Sequence, residues 1–255
     1  MQEVLVSEKL AVGYKNRKVV QNINFELRQG DFCAIVGVNG IGKSTLLRTL
    51  ANLQPSLGGH IKINQISLKE YPYSKLAREI ALVLTEPVAT KNLTVHELVA
   101  LGRQPYTNWL GNLTENDKSQ IALSLKTFQL ESLQSRKCFE LSDGQLQRVL
   151  IAKAMAQDTP IILLDEPTTH LDLSHKVQIF KMLQKLAHKH QKTVLFTTHE
   201  IDLAIQLCDK ILILDGADNP FGEPCELIEK GSFSNLFPSE MVEFDIKTGS
   251  FKVKK

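Results

Sequence analysis

Gly37-Val38-Asn39-Gly40-Ile41-Gly42-Lys43-Ser44-Thr45 fits the pattern G-x-x-x-x-G-K-[ST], a loop that wraps nucleotide phosphates. Its glycines keep side chains out of the way, so that backbone N–H groups can converge on phosphate oxygens. Lys43 brings a point positive charge to the β- and γ-phosphates, and the Ser44 hydroxyl can ligate Mg²⁺. A helix starting at the loop would point the positive end of its dipole at the anion. The flanks agree. Asp31–Val36 reads as a buried strand running into the loop, and Leu46, Leu47, Leu50 and Leu53 give one apolar face of a helix running out of it.

The 255 residues are 43% hydrophobic and 23% charged, the balance of a soluble globular chain. A net charge of +2 is too small to argue for a nucleic-acid surface. No apolar run reaches the length of a membrane span, and the N-terminus has neither the basic start nor the apolar region of a signal peptide. Cys33, Cys138, Cys208 and Cys225 lack paired spacing and read as free thiols of a reducing compartment, Cys33 as a small core residue. Action at a membrane would therefore need a recruiting partner.

Further along, residues 3–30 read as short strands around Gly13-Tyr14, and His60–Ile63 as an edge-type strand. Ile80–Leu84, Ile161–Leu164 and Val194–Thr197 are continuous apolar strands. Thr94–Leu101, Glu115–Phe128 and Gln145–Ala156 carry helical periodicity. The alternation predicts an α/β fold with a mostly parallel sheet and helices on both faces. The tail predicts a small hairpin, Val242–Ile246 and Ser250–Val253 around Lys247-Thr248-Gly249.

A second motif is Ile161-Ile162-Leu163-Leu164-Asp165-Glu166-Pro167. Two carboxylates end a buried strand, the place where open α/β sheets bind ligands. Asp165 can hold Mg²⁺, and Glu166 can orient and polarise an attacking water. Two solvated acids capping a strand would be the plain alternative, which the phosphate loop in the same chain disfavours. A third motif, Leu141-Ser142-Asp143-Gly144-Gln145, heads a helix.

Together the three resemble the nucleotide-binding subunit of ABC transporters, whose signature reads Leu-Ser-Gly-Gly-Gln; here Asp143 replaces the first glycine. The resemblance covers about residues 1–230 and is highly specific. It implies a phosphate-loop NTPase sheet, a mostly parallel core plus an antiparallel β subdomain. A helical subdomain at about 86–155 is inserted in it, and 231–255 forms a C-terminal extension. It implies ATP and Mg²⁺, with ATP held by Tyr14 and by Gly37, Val38, Asn39, Gly40, Ile41, Gly42, Lys43, Ser44 and Thr45. Tyr14 takes the place of an aromatic that stacks on adenine. Ser142, Asp143, Gly144 and Gln145 would bind the γ-phosphate of an ATP held by the opposite subunit, with the Asp143 side chain turned away. Leu171 and Asp172 fall in a loop that crosses the dimer interface, where His170 is expected to be structural. His199, ending the strand Val194–Thr198, would contact the γ-phosphate and orient water with Glu166.

One family element is absent. The strand Ile80–Leu84 should run into a Gln that touches Mg²⁺ and couples the site to the membrane subunit. Thr85, followed by Glu86, stands there, so the metal contact would pass through Thr85, water or Glu86. Partners implied are a second copy of the chain, membrane permease subunits and, indirectly, a substrate-binding protein, with no nucleic acid. The expected location is the cytoplasmic face of a bacterial inner membrane. Permease contact is expected from 86–140, where Tyr106, Trp109 and Leu110 are apolar without a helical burial pattern. Packing inside the subdomain is the plain alternative for these three. Leu93–Tyr106 is similar to a run in importers of iron–siderophore complexes, haem and cobalamin. That favours an iron–siderophore importer, with a haem or cobalamin importer and then an exporter or lipoprotein-releasing ATPase behind it. A ribosome- or DNA-acting ATPase would carry two cassettes or a long coiled-coil insertion.

Overall fold

The computed structural model describes residues 3–15, 17–85, 92–236, 242–245 and 248–253. Its centre is a six-stranded sheet in the order β10-β9-β3-β8-β7-β6. The strands are β3 (Phe32–Val36), β6 (Ile80–Val83), β7 (Ile161–Leu164), β8 (Thr193–Thr197), β9 (Lys210–Ile213) and the short β10 (Phe221–Gly222). All neighbours are parallel except β9 and β10. A parallel sheet buried on both faces needs near-continuous apolar strands, and β3, β7 and β8 are buried at every position.

Side-chain alternation sorts these strands between two cores. On one face Cys33, Ile35, Leu163 and Leu195 pack with Leu46, Leu47 and Leu50 of α1 (Lys43–Leu50) and with Leu5, Leu10 and Ile23. Each of the three α1 leucines is fully buried, worth about 1.5–3 kcal/mol apiece relative to exposure. On the other face Phe32, Ile162, Leu164, Val194 and Phe196 pack with α5 (Asp143–Ala156) and α6 (Leu173–His190). Phe32, Phe180 and Phe196 form an aromatic cluster there, with ring centroids 5.0–6.4 Å apart.

Helices therefore do not cover both faces in the same way. The α1 face is closed by a second sheet, antiparallel, in the order β2-β1-β4-β5. Its strands are β1 (Glu3–Tyr14), β2 (Arg17–Arg28), β4 (Gly58–Ile63) and β5 (Ile66–Ser67). The short strands expected over 3–30 are two twelve-residue strands. Bulges hide them in the sequence: register slips between Ser7 and Leu10, and Lys9 and Asn22 take left-handed conformations. Each slip moves the apolar set to the other parity, so strict alternation fails. The His60–Ile63 strand is not an edge by order, since β5 lies outside it; but β5 pairs only with Lys62 and Ile63.

After the short α2 (Tyr73–Leu76) comes β6, and between β6 and β7 lie α3 (Val95–Ala100), α4 (Glu115–Thr127) and α5. Thr94 and Thr114 start α3 and α4 with reciprocal capping boxes. The helices are held by a fully buried ion pair. Arg103 Nε donates to Asp117 Oδ1 at 2.8 Å, and Arg103 Nη1 donates to the Ala156 carbonyl at 2.8 Å. The Tyr106 ring lies 4.0 Å from the Arg103 guanidinium carbon and 5.0 Å from that of Arg78. Tyr106 thus packs internally, whereas Trp109 is 91% exposed and Leu110 is also exposed. After β8 come α7 (Ile201–Leu207) and α8 (Pro224–Glu229). Near the C-terminus β11 (Val242–Asp245) pairs antiparallel with β12 (Ser250–Val253); Ile246 and Lys247 of the expected hairpin, and Glu86, lie outside the described residues. Among the described residues no helix is long and apolar enough to cross a membrane.

Candidate active site at the carboxyl end of the sheet

The chain leaves β3 through Gly37, whose φ is 157°. A Cβ there would stand 2.6 Å from the Leu214 carbonyl oxygen, so a glycine is required by contact. Gly42, at φ 112°, caps α1 without any side-chain cap. The first amides of α1 thus have no side-chain acceptor, which suits an anion. Lys43 is buried, and its Nζ donates to the carbonyls of Gly37 at 2.9 Å and Val38 at 3.3 Å. Burial pushes its pKa down, while Glu166 and Asp165 push it up. Val38, Asn39, Gly40 and Ile41 complete the loop between them.

Strand parity explains what meets the loop. Asp165 continues the Ile161, Leu163 side of β7, and Thr197 continues the Leu195 side of β8, both on the α1 face. Asp165, only 5% exposed, accepts on Oδ1 from Ser44 Oγ at 3.0 Å and from Thr197 Oγ1 at 2.8 Å. Its amide still donates to the Val83 carbonyl at 2.8 Å, extending the ladder by one residue. Glu166 then breaks the strand with a left-handed φ of 46°, a conformation costing about 1 kcal/mol or more for a non-glycine residue. Its amide donates to Thr197 Oγ1 at 2.8 Å. Its carboxylate lies between two partners, His199 Nε2 at 2.6 Å from Oε1 and the Thr169 hydroxyl at 3.1 Å from Oε2.

Tyr14, at the end of β1, is 54% exposed, and Thr45 Oγ1 donates to its hydroxyl at 2.9 Å. The ring is thus anchored to α1 while remaining open to solvent. Thr85 is exposed just past β6. Because Val83 pairs with Leu164, Thr85 follows the strand beside the acidic pair. Among the described residues no hydrogen bond joins it to Asp165 or Ser44.

The Ser142–Gln145 segment stands apart. Ser142 caps α5, with Gln145 N donating to Ser142 Oγ at 3.3 Å and Ser142 N donating to Gln145 Oε1 at 3.0 Å. Asp143 is exposed. A Cβ on Gly144 would face Leu171 and His175, both at 3.5 Å. Leu171 packs against the core, and Asp172 caps α6. The Asp172 carboxylate accepts from His175 N at 2.9 Å and Ser174 Oγ at 2.8 Å, and it meets His175 Nδ1 at 2.8 Å. The His175 amide foremost, then the His175 ring and Ser174, holds its pKa well below the usual carboxylate range. His170 is exposed, in a left-handed turn.

Ser44, Asp165, Glu166 and His199 are thus brought together. Thr197 and Thr169 are additional members. The only trace of Thr197 in the sequence is a hydroxyl at the end of an apolar strand, two residues before a histidine.

This geometry is that of an ATP-binding cassette. Residues 20–169 match the family described as ABC transporter, and the chain belongs to that family as an ATP-hydrolysing, ATP-binding subunit. It is 37% identical to the probable siderophore transport system ATP-binding protein YusV of Bacillus subtilis (strain 168), over 91% of this chain and 84% of that protein. It is 35% identical to the achromobactin transport ATP-binding protein CbrD of Dickeya dadantii (strain 3937), over 91% and 87%. Among solved structures, an inward-facing metal-chelate type ABC transporter, itself so described provisionally, superposes with a TM-score of 0.81 at 31% identity, over 92% of this chain and 89% of that one.

Proposed function

We propose that this chain powers the import of an iron–siderophore complex, hydrolysing ATP at the carboxyl end of its sheet on behalf of membrane permease subunits. The observation that carries the hydrolytic part is the bonded chain Ser44–Asp165–Thr197–Glu166–His199. The similarity to YusV, CbrD and the metal-chelate transporter supports the cargo.

ATP enters with its base on Tyr14, an exposed flat ring, and its phosphates in the loop Gly37–Thr45. Lys43 exchanges its carbonyl partners for phosphate oxygens. The Ser44 hydroxyl and Asp165 carboxylate are hard oxygen donors that already touch, a set that fits Mg²⁺ bound by one or two protein oxygens and by substrate phosphates. When bound, the ion neutralises charge on the β- and γ-oxygens. Thr85, water or Glu86 would stand by it in place of the family's glutamine. Glu166 holds and polarises the attacking water while His199 fixes that carboxylate and reaches the γ-phosphate. A second copy supplies Ser142, Asp143, Gly144 and Gln145 across an interface that includes Leu171 and Asp172, so the working form is a homodimer. Residues 1–230 act as the cassette. Permease subunits at the cytoplasmic face of the inner membrane dock on the helices between β6 and β7. A groove of about 750 Å³ there is lined by Leu93, His96, Glu97, Leu101 and Trp109, among others.

Glu166→Gln tests the hydrolytic part. It is expected to abolish turnover, keep ATP binding and accumulate an ATP-bound dimer on gel filtration. Normal turnover would remove Glu166 from its role.

A further inference from the structure

Thr197 is fully buried and its single hydroxyl makes two hydrogen bonds of opposite sense. It accepts from the Glu166 amide and donates to Asp165 Oδ1, both at 2.8 Å. Asp165 Oδ1 also accepts from Ser44 Oγ, the first hydroxyl of the phosphate-loop helix. The hydroxyl therefore joins two neighbouring residues with different tasks: it orients the carboxylate of one and pins the backbone of the other. The pinned backbone is the left-handed one at Glu166. A strained conformation persists where its surroundings over-determine it, and the Thr197 bond is one such constraint. Without it, the relaxed backbone would carry the Glu166 carboxylate away from His199 and the phosphate loop. Thr197 itself has no exposed surface.

We propose that Thr197 is a positioning residue for hydrolysis: its hydroxyl sets the left-handed turn that aims Glu166 and, through Asp165, ties that aim to Ser44. This rests on the reading of Glu166 as the carboxylate that polarises water. The consequence is a division of labour. Mg²⁺-free nucleotide binding depends on the loop and on Tyr14, and is independent of Thr197. The rate of the chemical step depends on it. Substitutions that keep a hydroxyl at this position keep the rate, and those that keep only the volume lose it.

The test compares Thr197→Val, Thr197→Ser and Glu166→Gln with the unaltered full chain. Thr197→Val is expected to lower kcat on the order of 10- to 100-fold, the loss of a hydrogen bond to a charged group. Mg²⁺-free ATP binding should stay within about twofold, since neither the phosphate loop nor Tyr14 is altered. Thr197→Ser should restore kcat to within about threefold of the unaltered chain. Thermal unfolding of each variant is followed in parallel. If Thr197→Val does not fold, Thr197→Ala takes its place against Thr197→Ser, with the same expectations. A Val or Ala variant with undiminished kcat overturns the proposal, as does a Ser variant as slow as Val. Glu166→Gln separates the two failures: if it turns over normally, the reading of Glu166 fails; if it is inactive while Thr197→Val is fast, only the Thr197 proposal fails.

Discussion

Two helix N-termini, proposed above to share the chain's phosphate chemistry, are built in opposite ways. Helix α1 begins at Gly42 with no side-chain cap, so its first amides are open to an anion. Helix α5 begins at Ser142 inside a closed capping box with Gln145. The first is surrounded by Asp165, Thr197, Glu166 and His199; at the second, a Cβ on Gly144 would meet Leu171 and His175. On the proposed reading, one half-site is assembled within the chain and the other awaits a second copy. The Ser142 cap uses the hydroxyl as an acceptor, so the O–H proton stays available to donate. A capping serine can therefore serve the helix and a phosphate at the same time.

The comparison can be broken at the far end of α5. Arg103 binds the Ala156 carbonyl there, and Asp117 is its counter-charge. Asp117→Ala leaves a buried guanidinium without its anion and should cost about 3–5 kcal/mol of unfolding free energy, read by urea denaturation. ATP binding by the α1 half-site in the folded fraction should persist. The same pair gives a pH dependence. Hydrogen bonds from the Thr114 hydroxyl foremost, then from its amide and from Arg103, lower the Asp117 pKa from its ordinary 3.8. Because the folded value is the lower one, this stabilisation is complete above about pH 4 and is lost as pH falls through the folded pKa. Stability of Asp117→Ala should accordingly change less with acid than that of the unaltered chain.

At the α1 half-site the smaller test is Tyr14. Tyr14→Ala should weaken ATP binding by about 1–3 kcal/mol, the value of one base–aromatic stack. Tyr14→Phe, which loses only the bond from Thr45, should cost about 1 kcal/mol or less. Equal losses would show that the hydroxyl rather than the ring matters. At the α5 half-site, Ser142→Ala should cost about 1 kcal/mol of stability through the lost cap. Ser142→Asp keeps the cap and should leave stability nearly unchanged, while placing a negative charge where the γ-phosphate arrives and stopping turnover. Turnover that tracks stability in both variants would make Ser142 only a cap.

What the sequence revealed follows the range of the interactions. Gly37–Thr45 and Ile161–Glu166 were legible because each motif is contiguous and each sits where a buried strand ends. The parallel sheet followed from runs such as Ile161–Leu164. The long β1–β2 hairpin did not, because left-handed Lys9 and Asn22 shift its alternation. Thr197 was invisible as a site residue because its role exists only when β8 lies beside β7 and turns its hydroxyl to Asp165. Arg103 and Asp117 were hidden for the opposite reason: charged residues read as surface until the fold pairs them.

The central claim is that α1 of one chain and α5 of another complete a shared site. Mixing two inactive variants tests it most directly. Lys43→Ala lacks the phosphate-loop cation, and Ser142→Asp lacks a usable α5 terminus. In a mixed dimer the intact loop of the second faces the intact α5 of the first. Equimolar mixing should recover roughly a quarter of the unaltered turnover, since half the dimers are mixed and each carries one complete site. No recovery from the mixture, with dimers present, would contradict the account, as would full turnover by Ser142→Asp alone.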